Sequence, residues 1–421
     1  MTSHAALVAR GWGMCCIVGA GEMKVDSLKK EFVINGNTIK EGDTITLNGT
    51  AGKVYKGELP LIETDITSDY LTHFLDMCDG IKKLKVRTNA ETPLDAKRAL
   101  NFGAEGIGLF RIEHMFYGEG SEKPLFHLQE MIMANSQEER KVALDLLFPF
   151  MKNDIKETLR TMKGLPVTIR LMDPPLHEFI PHDSKRQKQL ADSLGIDADE
   201  LERRSDALKE SNPMMGHRGV RLGITHPEIT EMQARAILEA AAELANENVK
   251  TFPEIMIPLT GMETEYNHQE KIVREVAGKI DGLDNYMVGT MMEIPRASFV
   301  ADRIAETAEF FSFGTNDLTQ MAFGFSRDDT GGFMPAYLEQ GLLPEDPFAS
   351  LDEGVCELVK MGIEKGRQTK PDLKVGICGE HGGEPKSVHF CHGVGMDYVS
   401  CSPFRVPIAR LSAAQAVLNE K

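Results

Sequence analysis

The stretch YMVGTMMEIPRASFVADRIAETAEFFSFGTND, residues 286–317, holds two apolar strand-like runs with an amphipathic segment between them. A strand, a helix and a second strand in this order are typical of a unit in a parallel sheet. The first run ends in Glu293 and the second ends in Asp317. The stretch therefore predicts an α/β fold in which two carboxylates stand at the ends of neighbouring strands.

The same alternation of apolar strand and amphipathic helix continues from Val86 to the end of the chain. The candidate strands are VRTNA, GIGLFR, VTIRLMD, EIMIPLT, YMVGTMME, FFSFGTND, KVGICGE and YVSCSP. Eight such units predict a (β/α)8 TIM barrel, in which catalytic groups stand at the carboxyl ends of the strands. A charged helical insertion is expected after the third strand, over residues 176–210.

Residues 1–60 have a different pattern, with short β-type runs broken by turn residues. Asn35-Gly36 and Asn48-Gly49 are hairpin or tight-turn signals, and a helix is expected over HAALVARGW near the start. Apolar spacing after Pro60 predicts a helical connector. We thus expect a small mixed α/β domain at 1–60, a helical linker at 61–85 and the barrel at 86–421.

The composition excludes several classes of protein. The chain has 421 residues, 42% of them hydrophobic and 26% charged, with a net charge of −17. This acidic balance argues against general binding of nucleic acid, because phosphate backbones would be repelled. We find no apolar run of membrane-spanning length and no signal peptide. The seven cysteines include no CxxC pair, so we expect reduced thiols and a cytoplasmic protein.

Glu293 and Asp317 are candidate metal ligands. Carboxylates at the ends of neighbouring barrel strands can face one hard cation, and an all-oxygen ligand set suits Mg²⁺. The alternative is that each acid caps the helix that follows it, Asp317 before LTQM and Glu293 before IPRA. For an adjacent pair we favour the metal.

Arginines follow other strands of the predicted barrel. Arg111 and Arg170 end the second and third strands, and GHRGVR adds Arg218 and Arg221 from a later loop. The planar guanidinium binds phosphate or carboxylate through two donors. Several arginines on an acidic protein therefore predict a small substrate with more than one negative charge. The alternative is local pairing with acids such as Glu113 and Asp173, and Arg221 is expected to be structural.

Three further motifs carry candidate chemistry. Cys378 ends a strand before a glycine-rich turn, where a thiol could give a proton to carbon or act as a nucleophile, or could simply be a buried structural cysteine. Gly314 and Thr315 could let an anion approach the backbone. His4 could carry a phosphoryl group on a ring nitrogen, although a histidine near a terminus is usually just solvated.

Together these stretches resemble the phosphoenolpyruvate (PEP)-utilising enzymes. MTSHAALVARGWGMCCIVG is similar to the phosphohistidine motif of that family, which lies in its swivelling domain. GAEGIGLFRIEHMF, NPMMGHRGVRLG, the stretch 289–329 and KVGICGEHGGEP are similar to its barrel domain. Within the family, RLMDPPLHEF and FGFSRDD resemble the pyruvate, phosphate dikinase branch. The likeness covers essentially the whole chain.

The resemblance implies a reaction in which ATP, phosphate and pyruvate exchange with AMP, diphosphate and PEP. His4 matches the histidine that is phosphorylated, and Cys378 matches the acid that protonates the methylene carbon of enolpyruvate. Glu293 and Asp317 match the Mg²⁺ ligands. The positions that match contacts to PEP or pyruvate are Arg111, Arg170, Arg218, Glu293, Gly314, Thr315, Asn316 and Asp317.

The resemblance also sets limits and leaves alternatives. Full-length members carry a nucleotide-binding ATP-grasp region before the histidine domain, so we expect a truncated swivelling domain and a C-terminal piece that reaches ATP and AMP only through the missing region. Family members often form dimers through the barrel, which predicts a homodimer. The alternatives are a PEP synthase, a PEP-dependent enzyme of the sugar phosphotransferase system, or a non-catalytic remnant that binds PEP.

Overall fold

The chain folds into a closed barrel and a smaller, mostly antiparallel unit. A computed structural model describes residues 14–49, 51–61, 68–117, 120–181, 183–283 and 285–420. The described residues within 81–325 and 350–421 form the barrel unit, and those within 1–80 and 326–349 form the other. The expected helix near the start and His4 lie outside the described residues. The domain boundaries at residues 60 and 85 remain a prediction.

The barrel contains eight parallel strands, each paired with its neighbours in chain order, and the last pairs with the first. They are β6 (Lys85–Asn89), β7 (Ile107–Arg111), β8 (Pro166–Arg170), β9 (Phe252–Ile257), β10 (Met287–Met292), β11 (Phe310–Phe313), β12 (Lys374–Ile377) and β13 (Tyr398–Cys401). Each lies within or overlaps one of the eight candidate runs. The predicted TIM barrel is therefore confirmed.

The helices in chain order are α1 (Asp69–Ile81), α2 (Pro93–Asn101), α3 (Glu122–Met133), α4 (Gln137–Thr161), α5 (Ser184–Leu194), α6 (Ala198–Ala207), α7 (Val220–Thr225), α8 (Pro227–Asn246), α9 (Glu263–Ala277), α10 (Pro295–Phe299), α11 (Ala301–Ile304), α12 (Thr315–Phe323), α13 (Met334–Glu339), α14 (Glu353–Thr369), α15 (Pro385–Gly393) and α16 (Val406–Asn419). Helix α13 and nearly all of α1 belong to the smaller unit. The other helices connect the strands and cover the outside of the barrel. As expected, α5 and α6 form the charged insertion after the third strand. Among the described residues, no helix has both the length and the apolar character needed to cross a bilayer.

Most residues of the strands are buried because both faces of the barrel sheet are covered. In β11 all four residues are buried, yet they belong to two environments. Phe311 and Phe313 pack in the large core between strands and helices. Phe310 joins Leu109, Met256, Met291 and Cys378 in a separate cluster inside the barrel. This inner cluster closes the centre of the barrel and leaves polar groups at its ends.

The smaller unit contains β1 (Lys24–Asp26), β2 (Glu31–Ile34), β3 (Asn37–Lys40), β4 (Ile45–Asn48) and β5 (Lys53–Lys56). The first three form an antiparallel sheet and the last two form a hairpin. Asn35 and Gly36 join β2 to β3 with φ angles of 48° and 75°, as a two-residue hairpin turn requires. The connection after Asn48 is longer than two residues. Within it, the amide of Ala51 donates a hydrogen bond to Oδ1 of Asn48 at 2.9 Å.

A buried ionic cluster lies inside the barrel toward the amino ends of the strands. Glu254 accepts hydrogen bonds from Arg87 at 2.8 Å and Lys374 at 2.6 Å, and from the Thr168 hydroxyl at 2.6 Å. Burial by itself would raise the pKa of Glu254, but the two cations lower it to about 2. The Arg87 guanidinium also lies 3.9 Å from the centroid of the Tyr398 ring.

We predict that Glu254→Gln lowers the free energy of unfolding by about 3–5 kcal/mol, because Arg87 and Lys374 would keep their buried charges without a carboxylate. Urea denaturation near neutral pH measures this loss. Since folding depresses the pKa from 4.5 to about 2, the contribution of Glu254 is present above pH 4.5. It should shrink as the pH falls toward 2.

Glu275→Gln is the matched control, because Glu275 is exposed and its ion pair with Lys271 is 3.8 Å long. We expect that change to cost less than about 0.5 kcal/mol. Equal losses in the two variants would contradict the role assigned to Glu254.

Candidate functional site

The candidate site lies at the carboxyl ends of the barrel strands. Arg111 and Arg170 are the last residues of β7 and β8 and stand side by side in the strand register. Glu293 directly follows β10, and Cys378 directly follows β12. Because the strands are parallel and closed into one barrel, these side chains reach the same mouth.

Three carboxylates come together there, those of Asp173, Glu293 and Asp317. One oxygen from each lies within 4.8 Å of an oxygen of the others. Burial, and then the charges of Asp317 and Asp173, raise the pKa of Glu293 well above 4.5. The negative charge of the cluster is thus incompletely compensated, and its ligand atoms are all oxygens. A hard divalent cation suits such a set.

Glu293 is held by the backbone of two neighbouring loops. Its Oε1 accepts a hydrogen bond from the amide of Leu259 at 2.7 Å. On the other side Gly314 leaves room for the carboxylate, since a Cβ at that position would lie 2.8 Å from Glu293 Oε2. The missing side chain of Gly314 thus makes space for Glu293. The expected approach of an anionic substrate to this backbone stays a prediction.

Contrary to the prediction, Asp317 does not close a strand. Strand β11 ends at Phe313, and Asp317 lies in the first turn of α12. Its Oδ2 accepts a hydrogen bond from Arg218 at 2.9 Å. Asp317 therefore faces the mouth of the barrel from a helix, beside Glu293. Its carboxylate is paired with the guanidinium of Arg218.

The arginines of the mouth pair with nearby acids, of which Glu113 and Asp173 are buried. Arg170 contacts Glu113 through Nη2 and Asp173 through Nη1, the latter at 2.9 Å. Arg111 contacts Glu91 at 2.5 Å. The local pairing with Glu113 and Asp173 that the sequence offered as an alternative is thus present. Among the described atoms, Nε of Arg170 and Oε2 of Glu113 have no hydrogen-bond partner although both are buried.

Asp173 links two of these arginines. It accepts hydrogen bonds from Arg218 at 2.5 Å and 3.2 Å and from Arg170 at 2.9 Å. Burial would raise the pKa of Asp173, but the two guanidinium groups hold it below its usual value. Gly219 allows this packing, because it has a φ of 55° and a Cβ there would lie 2.9 Å from Asp173 Oδ1. Arg221 instead bonds the carbonyls of Met215 and Gly216, as expected of a structural arginine.

Cys378 is buried at the mouth, with its sulfur 3.7 Å from the carbonyl oxygen of Phe313. Burial raises the pKa of the thiol to about 11. At neutral pH the group is therefore a protonated thiol, suited to donating a proton rather than to attacking as a thiolate. The charges of Arg170 and Arg111 act to lower the same pKa, because both guanidinium groups lie near the thiol.

Thr315 and Asn316 are fixed by the loop that follows Cys378. The Thr315 hydroxyl lies 2.7 Å from Nδ1 of His381, and the side-chain oxygen of Asn316 accepts a bond from the amide of Glu380 at 3.3 Å. A Cβ at Gly379 would lie 2.1 Å from the Thr315 hydroxyl. The start of α12 and this loop are therefore in close contact, and both predicted residues lie at the mouth.

The structure thus brings together every predicted site residue except His4, which lies outside the described residues. The sequence analysis treated Asp173 and Glu113 only as possible partners of the arginines. Both follow strand-end arginines closely along the chain, at the end of VTIRLMD and just beyond GIGLFR. That proximity was the available signal for assigning them to the site.

Comparisons with known families agree with this arrangement. Residues 67–418 match the family described as PEP-utilising enzyme, PEP-binding domain. Residues 1–52 match the family described as PEP-utilising enzyme, mobile domain. The barrel and its mouth therefore coincide with the PEP-binding part, and the smaller match covers the segment that contains His4.

Similar proteins include the pyruvate, phosphate dikinase of Clostridium symbiosum, 52% identical over 100% of this chain and 48% of its own length. The chloroplastic pyruvate, phosphate dikinase of Mesembryanthemum crystallinum is 54% identical over 99% of this chain and 44% of its own. The chain spans about half the length of these relatives. With both family matches and this identity, the chain belongs to the PEP-utilising enzymes.

Proposed function

We propose that this chain carries the PEP/pyruvate half-reaction of a pyruvate, phosphate dikinase. The whole reaction interconverts ATP, phosphate and pyruvate with AMP, diphosphate and PEP through a phosphohistidine. The observation that carries the proposal is the mouth of the barrel, where arginines, a carboxylate cluster and a protonated thiol meet. The names of the relatives favour a dikinase over a PEP synthase, a phosphotransferase-system enzyme or a non-catalytic remnant.

The carboxylate cluster fits the Mg²⁺ that the family implies, because its donors are oxygens and its negative charge is incompletely compensated. Glu293 and Asp317 are the residues that would hold the ion, with Asp173 beside them. When bound, the ion would stabilise the negative charge that develops on the enolate oxygen as the phosphoryl group leaves. Glu293 and Asp317 also orient the site by their bonds to Leu259 and Arg218.

The arginines bind and orient the anionic groups of the substrate. Arg111 and Arg170 stand side by side, so their guanidinium groups can share one phosphoryl or carboxylate group. Phosphoryl transfer depends mainly on positioning and on neutralising charge. Arg170, with Glu113 and Asp173 holding its two Nη atoms, is fixed in advance and loses little freedom when it binds the substrate.

Cys378 supplies the proton of this half-reaction. The bond between phosphorus and the enol oxygen breaks, and the phosphoryl group passes to a ring nitrogen of His4. The enolate that remains takes the thiol proton on its methylene carbon and becomes the methyl group of pyruvate. A thiol with a pKa of about 11 stays protonated until the enolate forms.

Other parts of the reaction involve groups outside the described residues. His4 is the phosphoryl carrier. None of the described residues is assigned to ATP or AMP, which we expect a nucleotide-binding region of the intact protein to use. We also propose a homodimer through the barrel, on the basis of the resemblance, and a cytoplasmic location, on the basis of the composition.

Exchange of methyl protons tests the role of Cys378. With pyruvate and Mg²⁺ in D₂O, we expect the chain to incorporate deuterium into the methyl group of pyruvate. Proton NMR measures the rate of this exchange. Cys378→Ala should reduce the rate by about 100-fold or more, since a positioned acid–base group contributes at least that much.

The control is Cys391→Ala, which removes another buried thiol from α15, in the core outside the barrel. It should exchange at close to the native rate. Exchange that Cys378→Ala leaves unchanged would remove the proposed role of this residue.

Binding of PEP tests the role of the arginines. In a His4→Ala background, which cannot accept the phosphoryl group, calorimetry measures PEP affinity with Mg²⁺ present. Arg111→Met should weaken it about 10- to 100-fold, because bonds between charged partners contribute about 1.5–3 kcal/mol. Arg98→Met, on α2 and paired with Asp95, should leave it within about twofold. An unchanged PEP affinity in Arg111→Met would show that Arg111 does not bind the substrate.

A further inference from the structure

Arg218 donates hydrogen bonds to two of the three carboxylates that could hold a cation. Its Nη2 donates to Asp317 Oδ2 at 2.9 Å and to Asp173 Oδ2 at 2.5 Å. Its Nε donates to Asp173 Oδ1 at 3.2 Å. The guanidinium is buried, so it partly neutralises the carboxylate cluster through direct contact.

The two contacts of Arg218 differ in strength. Asp173 holds it through both oxygens, whereas Asp317 receives one bond from a nitrogen already shared with Asp173. The remaining nitrogen, Nη1, makes contacts of 3.4 Å and 3.8 Å to Met214. The guanidinium can therefore release Asp317 while staying attached to Asp173, and Nη1 is the donor best able to change its partner.

A divalent cation that takes Asp317 Oδ2 as a ligand would compete with the guanidinium for that oxygen. Their positive charges would also repel each other in a buried site, where screening is weak. Arg170 is different, because its ion pairs are with Glu113 and Asp173. Arg218 is therefore the arginine whose bonding changes when a metal takes Asp317 Oδ2.

We propose that Arg218 is a placeholder cation that couples metal binding to substrate binding. This inference rests on the proposed function of the site. Without a divalent cation, the guanidinium neutralises Asp317. When the cation binds, Arg218 yields Asp317, remains held by Asp173, and offers its freed donors to the carboxylate or phosphoryl group of the substrate.

The coupling has a direction that a structural role would not produce. The native Arg218 weakens the binding of a cation that arrives alone, because it must first be displaced. It strengthens the binding of an anion once the cation is in place. By linkage, the anion then tightens the cation to the same degree.

The test measures both affinities in the full chain. Mn²⁺ is titrated without an anion by electron paramagnetic resonance, and oxalate, a small dianion, is titrated at saturating Mn²⁺ by calorimetry. We expect Arg218→Met to bind Mn²⁺ about tenfold more tightly and oxalate about tenfold more weakly, within the usual range of coupling between sites. Arg221→Met removes a structural arginine from the same segment and should change neither by more than about twofold.

Arg218→Lys covers the case in which Arg218→Met does not fold. A lysine keeps one charge but cannot bond Asp173 and Asp317 through a fork, so it should bind Mn²⁺ more tightly than the native chain does. Native or weaker Mn²⁺ affinity in the folded variants would overturn the proposal. Failure of the native chain to bind Mn²⁺, or native affinity in Asp317→Asn, would instead overturn the proposed function of the cluster.

Discussion

The site depends on how charge is balanced at the mouth of the barrel. Asp173, Glu293 and Asp317 lie within a few ångströms of one another, and the buried guanidinium groups that contact the cluster are those of Arg170 and Arg218. These cations lower the pKa of Asp173, while burial and the neighbouring acids raise that of Glu293. The two arginines also lower the pKa of Glu293, but burial and the neighbouring acids outweigh them. An added cation would lower that pKa further.

The closed barrel makes this balance possible. Arg111 and Cys378 are far apart in the chain but end strands of one barrel, so the fold alone brings them together. Below them an apolar cluster fills the centre, and Glu254 pairs with Arg87 and Lys374 further down. The lower ionic cluster pairs one carboxylate with two cations and stabilises the fold. The upper one instead brings three carboxylates together and raises the pKa of Glu293, and perturbed groups of this kind are expected at a binding site.

Much of this arrangement could be predicted from the sequence. The eight apolar runs specify the strands, and polar residues directly after them specify the mouth, so Arg111, Glu293 and Cys378 were placed correctly. The assignment of Asp317 to a strand end was wrong because FFSFGTND continues into a helix without a break in composition. The bonds of Asp173 to Arg170 and Arg218 depend on the path of two loops, which periodicity does not encode. The grouping of residues 326–349 with 1–80 is likewise a tertiary property without a local signal.

The central claim is that the mouth binds PEP only together with a divalent cation. Calorimetric titration of PEP into the His4→Ala chain, once with Mg²⁺ and once with a chelator, tests it most directly. The charge balance predicts one PEP bound per chain when Mg²⁺ is present and no measurable binding when it is removed. Equal affinity under both conditions, or no binding in either, would contradict the claim.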